Sequence, residues 1–220
     1  MRKKTKIQEA ELNKLLDFII SELKSKGMKG TTMDSIAASK KISKRTLYEI
    51  FKSKENMFLM ALDRFQKRSE EVMNNLFNSS SDIMEAILKC FLYNRDVMSS
   101  LNVEFLRDVN QYYCSQLKKD ELRYEKAKER YLGLLDVLLK GVEEGYFRND
   151  INLKVQCHML IIQMESLKRM EELFPKDISL LEAYDNIILG FLRSISTIKG
   201  FEALDKTPNM IQTDLRNQLI

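Results

Sequence analysis

Apolar residues recur at helical spacing along most of the chain, and this pattern predicts a succession of helices. The first apolar face comprises Leu12, Leu16, Ile19, Ile20 and Leu23. Side chains three and four positions apart share one side of a helix, and Gly27 suits a left-handed helix end. We therefore predict a first helix over about residues 6–25.

A short second helix follows, behind residues that can cap it. Thr31 and Thr32 can each accept hydrogen bonds from the first free N–H groups of a helix. Met33, Ile36 and Ala37 are predicted to be its buried side chains.

A third helix begins after a few residues, with Ser43 as its predicted N-cap. Its inner face comprises Leu47, Ile50 and Phe51. The side chains that point mostly outward are those of Lys44, Arg45, Tyr48, Glu49 and Lys52. Two short helices joined by a tight turn, the second with a basic and aromatic outer face, form the helix-turn-helix arrangement that places a recognition helix in the major groove of DNA.

The charge distribution supports a nucleic-acid-binding module at the N-terminus. The 220 residues carry a net charge of +4, but residues 1–60 hold 14 Lys or Arg against 7 Asp or Glu, a net of +7, which leaves −3 for the remainder. Neutralising phosphates requires clustered positive charge. A solvated helix face explains the same charges, and composition alone leaves both interpretations open.

The remainder continues in helical patterns separated by polar breaks. The predicted helices cover about residues 54–77, 82–98, 102–117 and 120–145, then the long segments 153–174 and 179–200. Ser81 can cap the second of these. The last two carry more apolar residues than one stripe needs, which indicates burial on two sides. Beyond Pro208 the spacing predicts a short terminal helix, and the leader MRKKTK is either an arm along DNA or a disordered segment.

Several classes of protein are not indicated. Cys90, Cys114 and Cys157 are odd in number and widely separated, so we expect reduced, packed thiols rather than disulfides or zinc ligands. His158 is expected to be a packed histidine. No nucleotide-binding or hydrolase motif is present, so neither catalytic residues nor a metal or cofactor is predicted. The leader lacks the apolar core of a signal peptide, and no run approaches the length of a membrane span, so we expect a cytoplasmic protein.

The first sixty residues resemble a known family. The positions that carry the resemblance are Thr32, Ile36-Ala37, Ile42-Ser43, Thr46-Leu47-Tyr48, Phe51 and Ser53-Lys54-Glu55. They look like the DNA-binding domain of the TetR family of bacterial transcription repressors. The chain departs from that pattern at Lys40 and Lys41, where the family usually has small residues. A non-glycine residue in a left-handed turn costs about 1 kcal/mol, so either Lys41 tolerates that strain or the turn differs slightly.

The resemblance and the outer face together predict DNA-binding residues, namely Thr32, Ser43, Lys44, Arg45, Thr46, Tyr48 and Lys54. Tyr48 and Lys54 resemble the family's phosphate contacts. Lys44 and Arg45, in the first turn of the recognition helix, are predicted to reach base edges, Arg45 as a bidentate donor to guanine.

Each role has a structural alternative. Thr32 either presents its hydroxyl and the helix N-terminus to a phosphate or caps the second helix, and both can hold at once. Thr46 either touches a thymine methyl or supports Ser43 in capping. Tyr48 is otherwise a partly buried packing residue, and the two basic residues are otherwise non-specific backbone contacts.

The resemblance also implies a larger effector-binding and dimerisation domain. We expect an all-α chain of about nine to ten helices, divided into residues 1–53 and 54–220. In the family the last two long helices pair with their copies, and a C2 dimer matches the two half-sites of a palindromic operator. An apolar or aromatic effector is expected among Phe65, Phe91, Met98, Phe105, Tyr112, Tyr131 and Met159. Ordinary core packing explains the same side chains.

The sequence therefore predicts a homodimeric, sequence-specific transcription regulator, a repressor that a small molecule releases from its operator. The alternative is an effector-independent DNA-binding protein that acts on chromosome organisation. A helical-bundle enzyme with a DNA-binding appendage is a third interpretation, which the absence of catalytic motifs disfavours.

Overall fold

The structure, a computed structural model, describes residues 8–116 and 120–205, without the side chains of residues 110–116, 120–124, 126 and 127. The predictions for the leader and for the terminal helix beyond Pro208 lie outside the described residues.

The described chain is helical almost throughout, as the all-α prediction requires. The first six helices are α1 (Glu9–Gly30), α2 (Met33–Lys40), α3 (Lys44–Phe51), α4 (Lys54–Asn78), α5 (Ile83–Ser99) and α6 (Val103–Gln116). They are followed by α7 (Asp120–Glu143), α8 (Leu153–Ser166), a 3₁₀ turn (Leu167–Arg169), α9 (Met170–Leu173), α10 (Leu180–Ile195) and α11 (Ile198–Asp205).

Backbone contacts divide the chain into two compact units. Of the described residues, unit 1 comprises 8–74 and 100–111, and unit 2 comprises 75–99, 112–116 and 120–205. The first part of α6 thus belongs to the same unit as the predicted helix-turn-helix. The domain boundary predicted after residue 53 marks the end of that motif and stays a prediction.

The core of unit 1 is built from the apolar faces that the sequence predicts. The fully buried side chains of this core are Ile19, Leu23, Ile36, Leu47, Phe51, Met57 and Phe58. Ile50 is half-buried. Burying a side chain of this size contributes about 1.5–3 kcal/mol. Such packing holds α2 and α3, since isolated helices of eight residues are unstable in water.

Helix α1 is kinked at the glycine that was predicted to end it. Gly27 has φ 65° and ψ 175°, and helical hydrogen bonding resumes beyond it to Gly30. The Thr31 hydroxyl donates to the Gly27 carbonyl at 3.0 Å. The helix therefore runs five residues past the predicted end, but the predicted interruption is present.

Unit 2 packs its helices around one apolar cluster. Its buried members are Met84, Leu138, Phe147, Cys157, Leu160, Phe191, Leu192, Ile195 and Leu204. Helix α10 packs against α5 and α8, and α7 packs against α5 and α8. These contacts bury α10 broadly, as its wide apolar content predicts.

The segment after α7 closes this unit by pairing with the segment after α10. The Arg148 N–H donates to the Ile195 carbonyl at 2.8 Å, and the Thr197 N–H donates to the Tyr146 carbonyl at 2.9 Å. Phe147 lies between these bonds and is buried. Gly141 lies so close to its ring that an added Cβ would overlap it.

Three predicted helix boundaries are wrong. The segment 179–200 breaks at Ser196, which adopts an extended conformation because it pairs with Phe147. The segment 153–174 does not form one helix, since α8 ends at Ser166 and a 3₁₀ turn follows. Helix α5 is capped by Asp82, whose carboxylate accepts from the Glu85 N–H at 2.9 Å.

Ser81, the predicted cap of α5, instead donates to Glu85. Both its backbone N–H and its hydroxyl lie 2.7 Å from the Glu85 carboxylate. Together with the stronger effect of a hydrogen bond from Lys89, they lower the pKa of Glu85 to about 2.

Candidate nucleic-acid interface

Helices α2 and α3 form the helix-turn-helix, and a side-chain cap stabilises the N-terminus of each. The Thr32 hydroxyl accepts from the Ser35 N–H, and the Ser35 hydroxyl accepts from the Thr32 N–H, each at 3.0 Å. The Ser43 hydroxyl accepts from the Thr46 N–H at 3.0 Å. These bonds satisfy helix N–H groups that have no partner within the helix.

The turn between the two helices is made by a lysine in the left-handed conformation. Lys41 has φ 53° and ψ 37°, and its N–H donates to the Ala37 and Ala38 carbonyls. Of the two alternatives left open by the sequence, Lys41 therefore adopts the left-handed turn. Lys40 places its ammonium 3.9 Å from the centre of the Phe18 ring.

Helix α3 separates a buried face from an exposed one. Leu47 and Phe51 are completely buried, whereas Lys44, Arg45 and Tyr48 are exposed. The outward orientation predicted for these three is therefore present. Their roles in DNA binding stay predictions.

Two of these cations are held by carboxylates of the protein itself. The Lys44 ammonium lies 2.8 Å from Asp34 Oδ1 and donates to Asp34 Oδ2 at 3.0 Å, and this hydrogen bond raises the pKa of Lys44. The Arg45 Nε lies 3.0 Å from Glu49 Oε1. Sequence reasoning missed both pairs, although four-residue spacing of Arg45 and Glu49 on one helix was a usable signal.

The remaining predicted contacts have structural roles as well. The Thr46 hydroxyl lies 2.8 Å from the Ser43 hydroxyl, so the supporting role proposed for Thr46 is present. Lys54 is the first residue of α4 and is half-buried. Ser53 precedes it and caps that helix, because its hydroxyl accepts from the Asn56 N–H at 3.0 Å.

A strained turn joins α3 to α4. Lys52 has φ 67° and ψ −45°, and the Ser53 N–H donates to the Phe51 carbonyl at 2.8 Å. A hydrogen bond across three residues with a positive φ at the centre is a γ-turn of the rare, strained type. The turn sets the position of Lys54, at the start of α4, relative to α3.

Two side chains attach the start of α6 to α1 within unit 1. The Asn102 amide donates to the Ser25 carbonyl at 2.9 Å. The Asp108 carboxylate, which is 9% exposed, accepts from the Met28 N–H at 2.5 Å. Sequence reasoning missed this contact, because a pattern within one helix does not reveal a partner 80 residues away.

The residues predicted to surround an effector fall in different units. Phe65 and Phe105 lie in unit 1, where the Lys24 ammonium is 4.2 Å from the Phe65 ring centre and Phe105 is buried. In unit 2, Phe91 stacks on Tyr184 with ring centres 5.7 Å apart.

Three further members of the predicted set lie in unit 2. Met98 is half-buried on α5, and Tyr131 stacks on His158 with ring centres 4.6 Å apart. Met159 lines a groove of about 650 Å³ between α8 and α10. The side chain of Tyr112 lies outside the described residues, and the effector site stays a prediction.

Unit 2 also contains a buried ion pair. Arg95 Nε lies 3.0 Å and 3.1 Å from the two Asp185 carboxylate oxygens, and both side chains are largely buried. Burial raises the pKa of Asp185, while the hydrogen bond from Arg95 opposes that shift. The pair joins α5 to α10.

His158 and the cysteines differ in burial. His158 is exposed and its ring stacks on that of Tyr131, so the predicted packed histidine lies on the surface. Cys90 and Cys157 are buried, free thiols, as predicted, and burial raises the pKa of each. The side chain of Cys114 lies outside the described residues.

Within residues 8–116 and 120–205, no three His, Cys, Asp or Glu side chains are grouped so that they could hold a metal ion. No helix in the described part of the chain combines the length and apolarity needed to cross a membrane.

Known proteins resemble the chain in both sequence and fold. Residues 15–61 match the family model described as bacterial regulatory proteins, tetR family. The helix-turn-helix transcriptional repressor KstR2 of Mycobacterium tuberculosis is 26% identical over 63% of this chain and 70% of its own. IcaR of Staphylococcus epidermidis, a negative regulator of the biofilm operon icaADBC, is 28% identical over 64% of this chain and 85% of its own.

A solved structure shares the fold over most of the chain. It is a transcriptional regulator from Saccharomonospora viridis in complex with choline, with a TM-score of 0.63 and 17% identity over 86% of this chain and all of that one.

Proposed function

Because the chain belongs to the TetR family of bacterial regulatory proteins, we propose that it represses transcription as a homodimer that a small-molecule effector releases from a palindromic operator. Membership of the family makes the chain a DNA-binding transcription regulator rather than an enzyme. We place this activity in the cytoplasm, since bacterial operator DNA lies there.

The exposed face of α3 is the observation that carries the proposal. Lys44, Arg45 and Tyr48 project from a helix whose other face is fixed by Leu47 and Phe51. Donors on a rigid helix can reach both phosphates and the base edges of the major groove. Phosphate contacts provide affinity for any sequence, and base contacts provide the discrimination.

Footprinting on the DNA that flanks the protein's own gene tests this proposal, with competitor DNA at two salt concentrations. We expect a protected site with two-fold symmetry that survives competition. Tyr48→Phe should weaken binding to every sequence, whereas Arg45→Ala should relax preference at one position per half-site. Lys140→Ala, which removes an exposed cation of unit 2, is the control.

Diffuse protection that fades steeply with salt would contradict the proposal. It would mean that the basic surface binds phosphates without reading bases, and the chromosome-organising alternative would then describe the protein better.

An uncovered apolar stripe on α8 supports the homodimer. Val155, Met159 and Ile162 recur at spacings of four and three and are exposed, Ile162 by 68%. The groove beside them continues onto α10, where Gly190 has no atom within 4 Å of its Cβ position. A second copy brought against this face would bury the stripe.

Ile162→Glu is therefore expected to yield monomers in sedimentation velocity and to weaken operator binding. Leu139→Glu is the matched control, because Leu139 on α7 is also an exposed apolar residue but lies away from the groove. Dimers of Ile162→Glu as stable as those of the wild type would exclude this face.

The effector proposal is supported by the interior of unit 2 and by a relative. Phe91 and Tyr184 form an aromatic stack close to the Arg95–Asp185 pair, which combines apolar area with polar groups. The similar regulator from Saccharomonospora viridis was solved with choline. For this chain we propose an apolar or aromatic effector.

Screening small aromatic and apolar compounds by thermal unfolding tests the proposal. A true effector should raise the melting temperature and weaken operator binding, and operator DNA should weaken its affinity by the same factor. A compound that binds without any effect on operator affinity is not an effector. If all compounds that bind behave this way, effector release is contradicted.

A further inference from the structure

Glu49 is an acidic residue on a surface that is otherwise suited to bind a polyanion. It lies one helical turn after Arg45 on α3, and its carboxylate accepts from the Arg45 Nε at 3.0 Å. Both side chains are well exposed, by 70% and 46%, so burial does not explain why they pair. A carboxylate here repels nearby phosphates and lowers affinity for DNA of any sequence.

The geometry of the pair leaves the recognition end of the arginine available. Glu49 engages Nε, on the inner edge of the guanidinium group. Among the described residues, the two terminal nitrogens have no hydrogen-bond partner. Those two nitrogens are the pair that can donate side by side to O6 and N7 of a guanine.

We propose that Glu49 is a positioning residue for base recognition, which holds Arg45 through Nε so that its terminal nitrogens meet guanine. The inference rests on the proposed function, since it assumes that α3 enters the major groove. Glu49 then lowers overall affinity and increases discrimination, a combination typical of specific interfaces.

The strength of the pair depends on whether water surrounds it. On a free helix an exposed pair at this spacing changes an equilibrium only about twofold. In a groove from which water is excluded the same charges interact more strongly. A guanidinium without this partner could turn to a phosphate, where it would add affinity but no discrimination.

The pair between Lys44 and Asp34 provides a contrast on the same surface. Asp34 belongs to α2 and lies 2.8 Å from the Lys44 ammonium. An ammonium is a point charge without the planar pair of donors that matches guanine. Removing Asp34 should therefore raise affinity for all sequences without changing preference at the position that Arg45 reads.

The experiment measures relative affinities of the full chain for a library of random duplex DNA. The variants are Glu49→Gln, Arg45→Ala, the double variant and Asp34→Asn. Asp63→Asn is the matched control, because Asp63 pairs with Lys67 at 2.8 Å and the same spacing on α4. Gln has nearly the helix propensity of Glu, and thermal unfolding of each variant checks that it folds.

Arg45→Ala should reduce the preference for guanine at one position per half-site by about 5- to 150-fold, the range of a bidentate contact. Glu49→Gln should reduce preference at that same position by less, about 2- to 10-fold, because the arginine is still present but no longer held, while affinity for random DNA rises. In the Arg45→Ala background, Glu49→Gln should not change preference at that position.

Three results would overturn the inference. The first is an equal effect of Glu49→Gln on all sequences, as expected for Asp34→Asn. The second is a loss of preference on Glu49→Gln that is as large in the Arg45→Ala background as in the wild type, which would show that Glu49 acts without the arginine. The third is a Glu49→Gln variant whose motif and affinity for random DNA are both those of the wild type. If the wild type selects no motif at all, the proposed function fails as well, and this result distinguishes the two failures.

Discussion

Replacing Asp108 by alanine should weaken unit 1 at the kink of α1. The Met28 N–H directly follows the non-helical Gly27, where the helical backbone of α1 is interrupted. The Asp108 carboxylate accepts from it, in a site that is almost closed to water. Asp108→Ala leaves this donor without its partner.

The expected cost follows from the geometry. A hydrogen bond to a charged acceptor contributes about 1.5–3 kcal/mol, and alanine recovers at most about 0.7 kcal/mol of helix propensity over aspartate. The net loss is about 1–2 kcal/mol, which corresponds to roughly a 5- to 30-fold change in an equilibrium constant.

Hydrogen exchange measured by mass spectrometry over residues 24–31 is the local assay. Exchange there should accelerate by roughly that factor, while peptides of unit 2 keep their rates. Asp108→Asn is the matched control, since its amide oxygen can still accept from Met28. Equal acceleration in both variants would refute the role of the hydrogen bond, and wild-type exchange in Asp108→Ala would refute its strength.

Three other predictions concern stability. In urea unfolding, Gly141→Ala should destabilise the chain by about 1–3 kcal/mol, because its Cβ overlaps the Phe147 ring. Gly133→Ala has open space around it and should stabilise the chain by up to about 1 kcal/mol. Similar values for both variants would contradict the steric argument. Lys52→Gly should remove the strain of the positive φ and stabilise the fold by about 0.5–1 kcal/mol. Lys52→Ala, which keeps a Cβ, should not stabilise it. The pKa of Glu85, about 2, lies below its ordinary value of 4.5, so its carboxylate stabilises the fold above pH 4.5 and that contribution disappears as the pH falls towards 2. The melting temperature of Glu85→Gln should therefore lie below that of the wild type at neutral pH and converge with it near pH 2.

The helix-turn-helix was predictable because its determinants are local. The caps at Thr32 and Ser43 each act on an N–H three residues away, and the inner face of α3 follows from the period of a helix. Lys41 shows where local reasoning stops, since the sequence left two conformations open and the chain adopts the strained one.

The features that were missed depend on distant partners. Periodicity continues through Ser196, but pairing with Phe147 extends the backbone there and ends α10. The Asp108–Met28 bond likewise spans 80 residues. His158 lies in an apolar segment, yet its position on α8 exposes it. These outcomes follow from tertiary contacts, which hydrophobic patterns do not encode.

The division of unit 1 into two stretches of sequence has a consequence for synthesis on the ribosome. Residues 8–74 emerge before residues 100–111 that complete the unit. At about 5–20 residues per second, Asp108 is added roughly 2–7 s after Asn74, since 34 residues separate them. During each round of translation the nascent helix-turn-helix therefore exists for seconds without the carboxylate that holds Met28. A nonsense mutation between the two stretches would release a fragment that carries α3 but lacks this support.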